Sequence, residues 1–151
     1  MADSHLLTDI RLALRRNELR PVYALASAPR RVPKVGTRLD LATVDGRENL
    51  GQAVVLRLLT PRGELAPLGH PTYGSRLHEL VGRQNTETTR NLVKLHILES
   101  LQQEARIAKV TRLEVQPAPG TRDRVDVLLV VEPVGAAPAV TIGPFTLELE
   151  A

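Results

Sequence analysis

The stretch Arg124-Val125-Asp126-Val127-Leu128-Leu129-Val130-Val131-Glu132 decides the fold class. Val125, Val127, Leu129 and Val131 fall on one face of an extended chain, and Leu128 and Val130 fall on the other. A strand apolar on both faces belongs inside a sheet, so this one is predicted to be central. Before it, beyond Pro117-Ala118-Pro119-Gly120, the residues Ile107, Thr111, Leu113 and Val115 read as an irregular first strand. After it, beyond Pro133 to Pro138, a third strand spans Val140 to Glu150. There Leu147 and Leu149 alternate with Thr146, Glu148 and Glu150 after a Gly143-Pro144 break. Short links between successive strands predict an antiparallel meander, with helices packed on one face.

The helices lie upstream, where the apolar period lengthens. Asp45-Gly46-Arg47-Glu48 has the form of a capping box, an acid at the N-cap with Glu three positions on. Leu50, Val54 and Leu58 then form one stripe, widened by Val55 and Leu59, and Thr60-Pro61-Arg62-Gly63 ends the helix. Pro67, Gly69 and Pro71 keep the chain irregular as far as Tyr73-Gly74. Ser75 is placed to cap a short helix carrying Leu77, Leu80 and Val81, closed by Gly82. A longer helix starts within Asn85 to Thr89, with Val93, Ile97 and Leu101 on one stripe and Leu92, Leu95 and Leu98 broadening it. That width predicts contacts on more than one side.

Near the N-terminus periodicity does not decide. Ile10, Leu12 and Leu14 alternate like a strand, whereas Leu6, Leu7, Ile10 and Leu14 make a helical stripe. Pro21, Pro29, Pro33 and Gly36 then mark an irregular connector. The expected organisation is an N-terminal extension, residues 1–38, that wraps the core or meets a partner, followed by a domain at 39–151. The fold class is α+β: an antiparallel three-stranded C-terminal sheet packed against two or three helices.

Composition narrows the chemistry. Cys is absent, so disulfides, thiolate nucleophiles and Cys-based zinc sites are excluded. Tyr23, Tyr73 and Phe145 are the only aromatics, too few for a stacking platform or a sugar cleft. The net charge of +3 comes from cations interleaved with acids, which reads as a mixed-charge surface and not a phosphate-tracking groove. No nucleic-acid or membrane partner is expected, and no long apolar run follows the polar Met1-Ala2-Asp3-Ser4-His5. His5, His70, His78 and His96 lack ligand spacing and read as surface or turn residues, so neither metal nor cofactor is expected. Tyr73-Gly74-Ser75-Arg76 is not a nucleophile elbow. A glycan hydrolase needs two carboxylates across a sugar, one kept protonated. Glu48, Glu64 and Glu79 supply the residue type, but each has a simpler place in a cap, a turn or a helix surface, and no catalytic residue is assigned.

Two features point to partners instead. Glu104 and Arg106 share a face if their segment is extended, so they pair with each other or reach charged groups on another chain. The terminal stretch Phe145-Thr146-Leu147-Glu148-Leu149-Glu150 is short, alternating and suited to strand addition. A chain lacking Thr146 to Ala151 is expected to remain folded.

From Leu39 to Glu150 the sequence resembles the baseplate wedge or sheath-initiator family of contractile phage tails and related injection systems, the GPW-like family with a lysozyme-like label. The marks are Asp40-Leu41-Ala42 with Gly46, Gln52, Leu59-Thr60-Pro61-Arg62-Gly63-Glu64, Pro71 with Tyr73-Gly74, and Glu104-Ala105-Arg106 in place of the family's Glu-Pro-Arg. Ala105 there restores a backbone donor and frees a dihedral that Pro would fix. The resemblance implies a non-enzymatic baseplate component, present as several copies in a ring. Glu104 and Arg106 would face the helical core bundle of the baseplate wedge. Phe145, Thr146, Leu147, Glu148, Leu149 and Glu150 would join strands of the first sheath subunits and template their ring. It also implies assembly in the cytoplasm and residence in the tail or injection particle. A peptidoglycan hydrolase of a tail baseplate is the alternative that the label carries.

Overall fold

The computed structural model describes residues 4–13, 24–135 and 137–149. In chain order its elements are β1 (Thr8–Ile10), β2 (Ser27–Val32), β3 (Gly36–Leu41), β4 (Thr43–Asp45), α1 (Gly46–Leu59), α2 (Glu87–Leu101), β5 (Ile107–Pro117), β6 (Arg124–Pro133) and β7 (Val140–Glu148). Strands β5, β6 and β7 form an antiparallel sheet in that order, which makes β6 central. This is the α+β fold that the alternation in 124–132 predicts. Val125, Val127, Leu129 and Val131 are fully buried, while Leu128 and Val130 on the opposite face are only partly covered. Phe145 pairs with Val127 and Ile142 with Leu129, so Gly143 and Pro144 bulge opposite Leu128. The Gly143-Pro144 peptide is cis, and β7 runs through the break.

Both helices lie on the buried face, α2 against β5 and α1 against β7. Leu50, Val54 and Leu58 from α1 meet Val93, Ile97 and Leu101 from α2 over the β6 valines. Truncating such a fully buried Leu or Ile to Ala costs about 2–5 kcal/mol. The α2 start follows the usual rule: Thr86 is the N-cap and its side chain accepts from the Thr89 N–H. At α1 the capping box does not form. Asp45 is the N-cap but makes no side-chain cap bond, and Glu48 turns to Arg11, 2.7 Å away. An ion partner brought in by the N-terminal segment outcompetes the local backbone donor. Ser75 likewise serves tertiary structure first, donating to the Leu58 carbonyl at 2.7 Å while Leu77 N–H reaches its oxygen at 3.4 Å. The broad face of α2 is covered on one side only, and Leu95 and Leu98 stay exposed.

The N-terminal extension divides into two parts. Residues 6–12 are fastened to the body of the fold: Leu6 is fully buried in the core, and β1, itself exposed, pairs antiparallel with β4. Asn49 and Gln52, buried polar side chains of α1, hold this segment in place. Asn49 Nδ2 donates to the Leu6 carbonyl, Gln52 Nε2 donates to the Ile10 carbonyl, and Leu12 N–H donates to Gln52 Oε1. The second part is a hairpin of β2 and β3, in which almost every side chain is exposed. The expected boundary between residues 38 and 39 falls inside β3. Leu14, Pro21 and Tyr23 lie outside the described residues.

Candidate functional site

The turn after α1 and the Tyr73-Gly74 corner are joined backbone to backbone. Ser75 N–H donates to the Thr60 carbonyl, and Arg62 N–H donates to the Ser75 carbonyl. Gly74 sits at φ 106°, and a Cβ there would lie 2.4 Å from the Thr60 oxygen, so only glycine fits this approach. Ser100 of α2 donates to the Gly74 carbonyl at 2.9 Å, which locks the corner against the second helix.

That corner presents the Tyr73 ring to Arg57. The guanidinium carbon of Arg57 stands 4.4 Å from the ring centroid, within cation–π range. Arg57 Nη2 lies 3.4 Å from Glu104 Oε2, and both side chains are more than nine-tenths buried. Glu104 in turn receives Arg106 in a fork, Nε at 2.7 Å to Oε1 and Nη2 at 3.2 Å to Oε2. Arg106 Nη1 then reaches the Leu6 carbonyl at 3.3 Å. One polar chain therefore ties together α1, the Tyr-Gly corner, the α2–β5 junction and the N-terminal segment. Burial pushes the Glu104 carboxyl up, but the hydrogen bonds and charge of Arg106, with the charge of Arg57, outweigh it and hold the group below its ordinary value. Arg106 is raised by the same hydrogen bonds, and burial pushes the Tyr73 hydroxyl up.

The pair Glu104 and Arg106 is thus brought together within the chain. Arg57 is the participant that sequence reasoning missed. Its signal was a lone cation in the otherwise apolar run of α1, where the aliphatic stem packs and only the head needs partners. Arg57 Nε has no hydrogen-bond partner among the described residues.

The terminal strand is partly committed inward. Phe145, Leu147 and Leu149 are buried in the core, whereas Thr146 bonds Asp126 at 2.9 Å and Glu148 pairs with Arg124 at 2.8 Å on the other face. Leu149 is held at both backbone groups: its N–H donates to the Asp123 carbonyl, and its carbonyl accepts from Gly82 N–H. Glu150 lies outside the described residues. The expectation that a chain without 146–151 would stay folded is corrected by this packing, because the deletion removes two core leucines.

Hydrolase-type carboxylates are not gathered. Glu48 stands in the first turn of α1, Glu64 on an exposed turn, and Glu79 in the 3-10 turn Leu77–Leu80, gripped by Arg76 at 3.0 and 2.9 Å. Glu79 and Glu99 are held below the ordinary carboxylate value by Arg76 and Arg62 respectively. His96 departs from the surface reading of the histidines. It lies 5% exposed on α2, its Nδ1 3.7 Å from Glu99 and without a hydrogen bond among the described residues. No group of His, Asp and Glu able to hold a metal occurs among the described residues, nor does a helix long and apolar enough to cross a membrane.

The fold has a counterpart among solved structures. It superposes with a TM-score of 0.55 on a crystal structure from Geobacter sulfurreducens, a protein provisionally called a tail lysozyme. The two sequences are 20% identical, and the match covers 69% of this chain and 91% of that one. At this identity the likeness establishes a shared α+β fold. The chain matches no protein-family profile and no curated protein.

Proposed function

We propose that this chain is a non-enzymatic structural component of a contractile baseplate, which links the wedge to the sheath and templates the first sheath ring through β7. The observation that carries this reading is the edge position of β7. Leu149 N–H donates to Asp123, and the uninterrupted register from Val127↔Phe145 to Arg124↔Glu148 continues to that pair. In an antiparallel ladder the backbone groups then point alternately toward and away from the neighbour. Leu147 and Phe145 face β6 and Thr146 faces outward, toward an edge that pairs with no strand among the described residues. A strand of another chain can be added there without disturbing the core.

The Glu104/Arg106 turn is the proposed wedge contact. Its charges are spent largely on each other, so it acts as a fixed corner, with the remaining N–H donors of Arg106 directed to the wedge. The fold shared with a protein called a tail lysozyme supports the tail setting. Against a hydrolytic role stand the separated carboxylates and the arginines that hold Glu79, Glu99 and Glu104 ionised, where a general acid needs a raised pKa.

Thr146→Pro tests the mechanism. It deletes an outward N–H while leaving the bonds to β6 in place, and Thr146→Ala controls for the lost Asp126 contact. Electron microscopy should show sheathed tubes with Thr146→Ala and none with Thr146→Pro, both proteins melting alike. Normal sheaths with folded Thr146→Pro would overturn strand addition, and cell-wall clearing that depends on Glu48 or Glu64 would overturn the non-enzymatic reading.

A further inference from the structure

The β2–β3 hairpin is amphipathic, yet its apolar side stays exposed among the described residues. Pairing of Pro29 with Leu39 and Ser27 with Leu41 sets these residues on one face, together with Arg31 and Thr37. Leu39 is 78% exposed and Leu41 49%. The opposite face carries Arg30 and Asp40, which pair at 3.0 Å, and Arg38, which stands across from Arg30. A two-stranded ribbon is marginal by itself, and among the described residues this one is anchored at its base, where Ala26 N–H donates to the Arg11 carbonyl and Arg11 N–H donates to the Ala42 carbonyl.

Charge separates the ribbon from the rest of the molecule. Arg30, Arg31, Lys34 and Arg38 stand against one carboxylate, Asp40, and this surplus of three equals the net charge of the whole chain, +3. Everything outside the ribbon sums to zero net charge, so a second copy as a whole offers no surplus of acid to match it. Arg31, Lys34 and Arg38 have no ion pair among the described residues. Nucleic acid would match the cations but would leave Pro29, Leu39 and Leu41 without an apolar counterpart, and the ribbon has no aromatic on which a base could stack.

We propose that this ribbon is a docking arm for another protein that presents an apolar strip flanked by carboxylates. The leucines supply contact area, and Arg31 on their face, with Lys34 at the turn, supplies register and orientation. This surface is separate from the β7 edge, so it stands whether or not strand addition occurs.

Site-specific photo-cross-linking in cells expressing the full chain tests the arm, with benzoylphenylalanine at Leu39 and, as a control, at exposed Lys109. The expected result is one protein joined at Leu39 but not at Lys109, through a segment where Asp and Glu outnumber Lys and Arg beside apolar residues. Arg31→Glu with Lys34→Glu, and separately Arg31→Glu with Leu41→Ser, should each cut the yield at least tenfold without lowering Tm. Cross-links to a second copy, to nucleic acid or to lipid overturn the proposal. So do a partner segment without surplus acid, a yield no greater than at Lys109, and yields unchanged by both double variants.

Discussion

The guanidinium of Arg57 stacks on the ring of Tyr73, 4.4 Å from its centroid, where the chain turns onto a glycine. This contact gives the buried cation its second partner, since Glu104 alone must also satisfy Arg106. Tyr73→Leu removes the ring face but keeps an apolar side chain. The expected loss is about 1–2 kcal/mol, a fall in Tm of roughly 3–7 °C for a domain of this size. Tyr73→Phe preserves the face and should melt within about 2 °C of the parent. Equal melting of the leucine variant and the parent would remove the cation–π contact from the stabilising interactions.

Glu104 couples stability to pH. Its folded pKa is depressed, so the unfolded chain binds a proton more readily at acid pH. The contribution is fully present above the unfolded value, about 4.3, and is lost as pH falls through the lower folded value. Glu104→Gln leaves Arg57 and Arg106 facing each other without a counter-charge, at a cost of about 3–5 kcal/mol near neutral pH. Urea titrations at several pH values check both parts. The parent should lose stability below about pH 4 more steeply than the variant, and parallel curves would show that Glu104 does not carry the acid limb.

How much of this was legible in the sequence depends on where each residue finds its partner. The alternation through Val125 to Val131 exposed the central strand because both neighbours and the helices bury the same parity of residues. The stripes of α1 and α2 were legible for the same reason, through Leu50, Val54 and Leu58 and through Val93, Ile97 and Leu101. Glu48 misled because its partner, Arg11, is distant in sequence and local capping logic cannot register it. The N-terminal segment was ambiguous because α1 side chains, Asn49 and Gln52, satisfy its backbone in place of a long ladder. His96 looked like a surface residue since nothing in its spacing reveals that it flanks the Val93–Ile97 stripe. For the site, Glu104 and Arg106 stood out, but Arg57 became visible only once α1 was laid beside the α2–β5 junction.

Ala105 occupies a turn that proline would suit. Ile107 N–H donates to the Glu104 carbonyl at 3.0 Å, closing a four-residue turn with Ala105 at its second position. Proline is favoured there, provided that the amide is not needed and the third residue stays at negative φ. Both conditions hold: Ala105 N–H has no hydrogen-bond partner among the described residues, and Arg106 is not among the positive-φ residues. Ala105 is also exposed, so the ring would meet solvent. Ala105→Pro should stabilise the chain by about 0.4–1 kcal/mol by restricting the unfolded state, raising Tm by roughly 1–4 °C. Because the substitution leaves the Glu104–Arg106 fork in place, the slope of stability against pH should be unchanged. A variant that melts lower than the parent would mean that the corner needs the freedom that alanine leaves it.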